Sequence, residues 1–173
     1  MAGKSKLIVI TGSPGAGEST LAKALCSKFG FIHIDIHGFE KSCGTYNSKK
    51  DCYDLDMDKV EVKISEILDS SKDKGDITFV FDSHVSHLLH PSIVDLCVVV
   101  RCNNLKKLRA RLETRGYSEA KVSENLECEI MEVCHDEASE KLGKFGVEIV
   151  EVDGSLDSGY SEEVLEKVKS KFS

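Results

Sequence analysis

A nine-residue stretch near the start of the chain constrains the fold more than any other feature. Leu7-Ile8-Val9-Ile10 is a short, continuous apolar run, and Thr11 leads from it into Gly12-Ser13-Pro14-Gly15-Ala16-Gly17-Glu18-Ser19-Thr20. A run that is apolar at every position, rather than at alternate ones, reads as a strand buried on both faces, and so as part of a parallel sheet. Helical spacing follows at Leu21, Leu25 and Phe29, and Gly30 closes it as a C-cap. Phe31 to Asp35 reads as a second strand. The first 35 residues therefore form a strand–helix–strand unit whose glycine-rich turn follows strand one.

That turn matches G-x-x-x-x-G-[K]-[ST] at every defined position except the lysine. Its glycines let backbone N–H groups turn inward around phosphate oxygens, and the helix that follows adds positive potential. The Ser19 hydroxyl is placed to bind Mg²⁺, while a lysine would reach the β- and γ-phosphates. Glu18 stands in that lysine's place. A carboxylate about 4 Å from a phosphate charge repels it by up to ~4 kcal/mol at an effective dielectric of about 20. A side chain swung outward into water would leave only the lost attraction. Two readings follow: a nucleotide site with altered charge balance, or a turn that no longer binds nucleotide.

The remaining chain continues the alternation. Residues 36–55 are polar, lack a sustained period and read as a mobile insert. A helix is expected over Met57 to Ser70 with Val60, Ile64, Ile67 and Leu68 as its core stripe, then strands at Ile77 to Phe81 and Val94 to Val100. Leu105, Leu108 and Leu112 mark a helix ending near Arg115-Gly116. A longer helix from Ser118 is expected to carry Val122, Leu126, Ile130 and Val133 on one face. Val147 to Val152 reads as the last strand and Ser161 to Phe172 as a closing helix. The expected architecture is an α/β three-layer sandwich of the P-loop NTPase type with about five parallel strands, one domain spanning residues 1–173.

Composition excludes several alternatives. At 40% hydrophobic and 31% charged the chain can fill a core, and its net charge of −7 leaves no basic face for coating nucleic acid. Direct, sequence-specific nucleic-acid binding is not expected. No apolar run approaches the roughly 18 residues of a membrane span, and the basic start Met1 to Lys6 precedes too short an apolar run for a signal peptide. Seven cysteines without a C-x-x-C pair read as reduced, mostly structural thiols of an intracellular protein.

The second half narrows the choice. Arg111-Leu112-Glu113-Thr114-Arg115-Gly116-Tyr117, then Lys121, Glu124-Asn125 and Cys128-Glu129-Ile130, resembles the adenylate kinase isoenzyme 6 family, the nuclear adenylate kinase/ATPase also called coilin-interacting nuclear ATPase. Asp51-Cys52 and Leu55 to Val60 resemble that family's acidic insert, and Asp82-Ser83-His84 its D-x-H form of a Walker B motif. The resemblance covers residues 7–140. It implies ATP and Mg²⁺ as cofactors, AMP as acceptor, ATPase activity, and a role in small ribosomal subunit maturation and rRNA processing, in nucleus and cytoplasm. The implied protein partner is a basic small-subunit platform ribosomal protein. Carried over by position, Gly12, Gly15, Gly17, Ser19 and Thr20 would bind ATP phosphates, while Glu18 sits in the same loop without the lysine's role. Ser19 and Asp82 would hold Mg²⁺, His84 would orient the attacking group or the metal shell, and Arg115 would stabilise the transferring phosphoryl group. Residues of about 35–57 would form the monophosphate-binding insert and about 114–124 the lid. No arginine precedes Arg101, so the insert lacks a planar fork for an AMP phosphate.

Other residues carry rival readings. His84, His87 and His90 have the spacing of a helical metal face, or are one catalytic and two loop histidines. Cys128, Cys134 and His135 read as packing on one helix rather than as a zinc site. Arg109 and Arg111 are either surface ion pairs or catalytic clamps. Three functional readings remain open at this level: an ATP:NMP phosphotransferase with ATPase activity, a catalytically degenerate ribosome-assembly factor of the same fold, and an enzyme deliberately inactivated at Glu18.

Overall fold

The computed structural model describes residues 4–50 and 52–172; Met1 to Gly3, Asp51 and Ser173, with the readings placed on them, lie outside the described residues. The apolar run becomes β1 (Ser5–Gly12), and the strand–helix–strand unit is completed by α1 (Glu18–Phe29) and β2 (Ile32–Ile34). Further along come the short helix α2 (Glu40–Cys43), β3 (Gly44–Asn47), β4 (Cys52–Leu55), α3 (Met57–Asp69), β5 (Ile77–Asp82) and β6 (Leu96–Arg101). The chain ends with α4 (Leu105–Thr114), α5 (Glu119–Ile130), α6 (Val133–Lys141), β7 (Glu148–Asp153) and α7 (Glu162–Phe172).

Five strands form a parallel sheet in the order β2-β5-β1-β6-β7. Alternation along β1 explains its unbroken apolar run. Ile8 and Ile10 point to one face and pack with Leu21 and Leu25 of α1, Leu108 and Leu112 of α4 and Val168 of α7. Leu7 and Val9 point to the other, where Ile64 of α3, Ala138 of α6 and Leu142 just after α6 cover them. Burying a side chain of this kind contributes about 1.5–3 kcal/mol, so covering both faces is the main stabilising term here. Asp56, Asn104 and Ser118 cap α3, α4 and α5 by accepting an N–H three residues on, each cap worth about 1 kcal/mol. Among the described residues no helix is long and apolar enough to cross a membrane, and all seven cysteines are free thiols.

Two expectations are corrected. The insert read as mobile is a built hairpin: β3 and β4 pair antiparallel, with Tyr46 opposite Tyr53 and their rings 5.5 Å apart. Asn47 orders the turn, its side-chain oxygen accepting from the N–H groups of Lys49 and Lys50. The long helix expected from Ser118 is instead two, broken at Glu132, whose φ of 55° lies in the left-handed region. Val122 belongs to one core and Ala138 to the other, so the chain must turn between them to change faces of the sheet. A left-handed non-glycine residue costs about 1–2 kcal/mol. Arg101 offsets it, pairing with buried Glu129 before the break at 2.7 Å and with Glu132 at the break at 3.0 Å. Ile130, expected in the core stripe, is consequently 57% exposed.

Candidate nucleotide site

The carboxyl ends of β1, β5, β6 and β7 meet at one edge of the sheet, where ligands of open α/β sheets bind. The loop from Gly12 to Gly17 has glycines where the backbone requires them. Gly15 and Gly17 take φ of 86° and 120°, and a Cβ at Gly12 would lie 2.5 Å from the Val100 carbonyl oxygen. Helix α4 holds the loop from outside: Arg111 donates to the carbonyls of Gly15 (3.1 Å), Ala16 (3.4 Å) and Gly154 (2.9 Å). The Tyr160 hydroxyl donates to the Gly17 carbonyl at 3.1 Å. With these carbonyls engaged on its outer side, the turn is suited to present N–H groups to an anion.

Glu18 does not swing outward. It is only 9% exposed, and its Oε2 accepts the Gly17 N–H at 3.0 Å. Burial pushes its pKa up to about 7; the backbone N–H groups of Glu18 and Gly17 and the charge of Arg115 pull it down, and the Asp82 carboxylate raises it. The loop's own carboxyl thus uses an N–H that a phosphate would otherwise take.

Ser19 and Asp82 come together, the hydroxyl donating to Asp82 Oδ2 at 2.6 Å. The other Asp82 oxygen is held by His33 of β2 through Nε2. Sequence reasoning misses His33; its only signal is being the one titratable side chain between Ile32 and Ile34 in a strand that ends at this edge. His84 lies just beyond, where partial burial of its ring and the neighbouring His87 and Lys121 lower its pKa. Among the described residues its ring makes no hydrogen bond.

Arg115 sits at the C-terminus of α4, on the rim of a cavity of about 560 Å³ that Gly17, Thr20, Gly154, Leu156 and Tyr160 also line. Its volume falls within the range of small-ligand pockets. Arg109 forms surface ion pairs with Glu113 and Glu119, whereas Arg111 lines the cavity and anchors the loop. Lys121 Nζ donates to the Lys50 carbonyl at 3.0 Å, joining the segment after Arg115 to the hairpin. The three spaced histidines do not share a face. His87 is buried and bonded to Thr11 and Glu137, while His90 bonds Ser92 and Glu61 at the surface. His135 Nδ1 lies 3.6 Å from Asp136. Among the described residues no three His, Cys, Asp or Glu side chains converge as a metal site.

The sequence model of a family described as an AAA domain matches residues 8–132. An adenylate kinase isoenzyme 6 homolog from Caenorhabditis elegans is 38% identical over 164 residues, covering 93% of this chain and 86% of that protein. A protein of the same name from Dictyostelium discoideum is 36% identical over 134 residues, 76% of this chain and 73% of its own. Among solved structures, a sugar kinase from Janibacter aligns with a TM-score of 0.60 at 15% identity, over 96% of this chain and 93% of the other. The deoxyadenosine kinase of M. mycoides aligns at 0.51 and 16% identity, over 95% and 97%. These structural likenesses concern the fold.

Proposed function

Because the chain belongs to the family of the adenylate kinase isoenzyme 6 homologues, we propose that it is a nucleoside-monophosphate kinase, moving the terminal phosphoryl group of ATP to an acceptor such as AMP. Slow hydrolysis of ATP would accompany transfer when water replaces the acceptor. The observation that carries this reading is the Ser19–Asp82 pair at the end of the glycine loop. A hydroxyl and a carboxylate 2.6 Å apart are hard oxygen donors of the kind Mg²⁺ takes. Mg²⁺, when bound there, neutralises charge on the phosphates.

The chain's own residues would act by positioning and electrostatics, without a covalent intermediate. Gly12, Gly15 and Gly17 shape the cradle, and the cavity beside Thr20 and Tyr160 takes the nucleoside. Arg115, on the cavity rim, supplies positive charge to the phosphoryl group in flight. His84, neutral because its surroundings disfavour the imidazolium, orients the attacking group. The hairpin of β3 and β4 forms the acceptor side with lysines only, and residues 114–124 close over the nucleotide. Glu18 opposes all of this, because its carboxyl sits on the Gly17 N–H and no cation follows charge on the β- and γ-phosphates. Transfer is therefore impaired more than nucleotide binding. That same contact favours a second reading, a binding protein of this fold that does not turn ATP over.

The link to small-subunit assembly, and the nuclear and cytoplasmic location that goes with it, rest on the family resemblance. The net charge of −7 supports a basic protein partner, whose association would weaken with salt. The test of the kinase reading is ADP formation from ATP and AMP in Mg²⁺, measured in the Glu18→Lys background with and without Asp82→Asn. Loss of at least about 100-fold in rate supports it; an unchanged rate removes Asp82, and the metal site with it, from the mechanism.

A further inference from the structure

Behind the glycine loop lies a hydrogen-bonded chain that the proposed chemistry does not use. His87, 2% exposed, places Nδ1 2.7 Å from the Thr11 hydroxyl and Nε2 2.8 Å from Glu137 Oε2 of α6. Thr11 is fully buried and immediately precedes Gly12. Its hydroxyl also lies 3.4 Å from the His84 carbonyl. The same segment is sewn to the end of β1 at two more points: Ser86 Oγ donates to the Ile10 carbonyl at 2.8 Å, and the Ser83 N–H to that same oxygen at 3.1 Å. We infer that His87 is a positioning residue, which fixes the phosphate loop and the Asp82–His84 segment against α6 through one defined order of protons.

The order follows from what each group can donate. A carboxylate only accepts, so His87 Nε2 carries the hydrogen that reaches Glu137. A neutral imidazole then has a bare Nδ1, which accepts the single Thr11 hydroxyl hydrogen. Burial lowers the His87 pKa, in keeping with the neutral ring, although Glu137 pulls it partly back. Thr11 therefore has no hydrogen left for the His84 carbonyl. Removing Glu137 would take away the acceptor for Nε2–H and favour the other tautomer, in which Nδ1–H donates to Thr11. The Thr11 hydroxyl would then turn to the His84 carbonyl, and the grip of α6 on the loop would be lost.

Glu137 is half exposed, so its replacement leaves the core intact. Ring nitrogen NMR and amide exchange at Gly12 to Gly17 are to be recorded without nucleotide for the unsubstituted chain, Glu137→Ala and Glu137→Gln. The inference predicts an Nε2–H tautomer in the unsubstituted chain, an Nδ1–H tautomer in Glu137→Ala, and loop exchange faster by at least about threefold in that variant. Glu137→Gln should restore both, because the amide oxygen still accepts from Nε2. An Nδ1–H tautomer in the unsubstituted chain, no change of tautomer in Glu137→Ala, or unchanged loop exchange would each overturn it. These readouts need no nucleotide and no turnover. A chain that shows the predicted proton order but no phosphoryl transfer keeps this inference and loses the kinase reading.

Discussion

Glu18→Gln should flatten the dependence of folding stability on pH. Burial in the glycine loop carries the Glu18 carboxyl from its ordinary 4.5 to about 7. At about 1.36 kcal/mol per pH unit, ionising it in the folded chain costs about 3 kcal/mol more than in the unfolded one. Between those two values the folded state keeps a proton that the unfolded state has released. The stabilisation is therefore complete below about pH 4.5 and lost as pH rises through about 7. Glutamine retains the shape and an oxygen for the Gly17 N–H but has no proton to lose. The variant should match the unsubstituted chain near pH 4.5 and exceed it by about 3 kcal/mol at pH 8. Urea unfolding of both proteins across this range measures the difference, with other carboxyl groups cancelling in the comparison. A constant difference between the two curves would refute the reasoning, because it would mean that Glu18 titrates alike in the folded and unfolded chain.

Further outcomes follow from the same contacts. Arg115→Ala, made in the E18K protein so that turnover is measurable, should lower kcat by at least about 100-fold while the ATP dissociation constant changes by less than about threefold; equal losses would limit Arg115 to ground-state binding. Gly154→Ala would put a Cβ 2.0 Å from the Ala16 carbonyl oxygen, backbone that cannot yield, and should cost at least about 2 kcal/mol in chemical denaturation, with no loss meaning that this approach is not required. Glu129→Ala leaves Arg101 buried beside a broken ion pair and should destabilise by about 3 kcal/mol; a change below about 1 kcal/mol would show that Glu132 and Glu151 suffice as partners.

The parts of this protein that are legible in the sequence are those written by local chemistry. The both-faces burial of β1 requires a run such as Leu7 to Ile10, and the cradle requires glycines at 15 and 17, so the residues themselves announce both. Ser19 and Asp82 are legible because each stands at a fixed offset from a strand end. What sequence reasoning misses depends on residues far apart in the chain. The break at Glu132 is secured by Arg101, which no helical periodicity between Ser118 and Val133 can report. Arg111 and Tyr160 grip loop carbonyls from α4 and from the segment after β7. His33 reaches Asp82 only because β2 and β5 are neighbours in the sheet. The hairpin strands β3 and β4 have four residues each, too few for an alternation to stand out from a polar insert.

On the function proposed above, phosphoryl transfer at this site is held back by one carboxyl group. Glu18→Lys tests it most directly, since it removes the group on the Gly17 N–H and places a cation where charge moves during transfer. The measurement is ADP formation from ATP in Mg²⁺, with and without AMP, on both proteins. Turnover should be at least about tenfold faster in the variant, equivalent to about 1.4 kcal/mol of barrier. A variant that folds, binds Mg²⁺-ATP and turns over no faster would contradict it, and the reading of a binding protein would take its place.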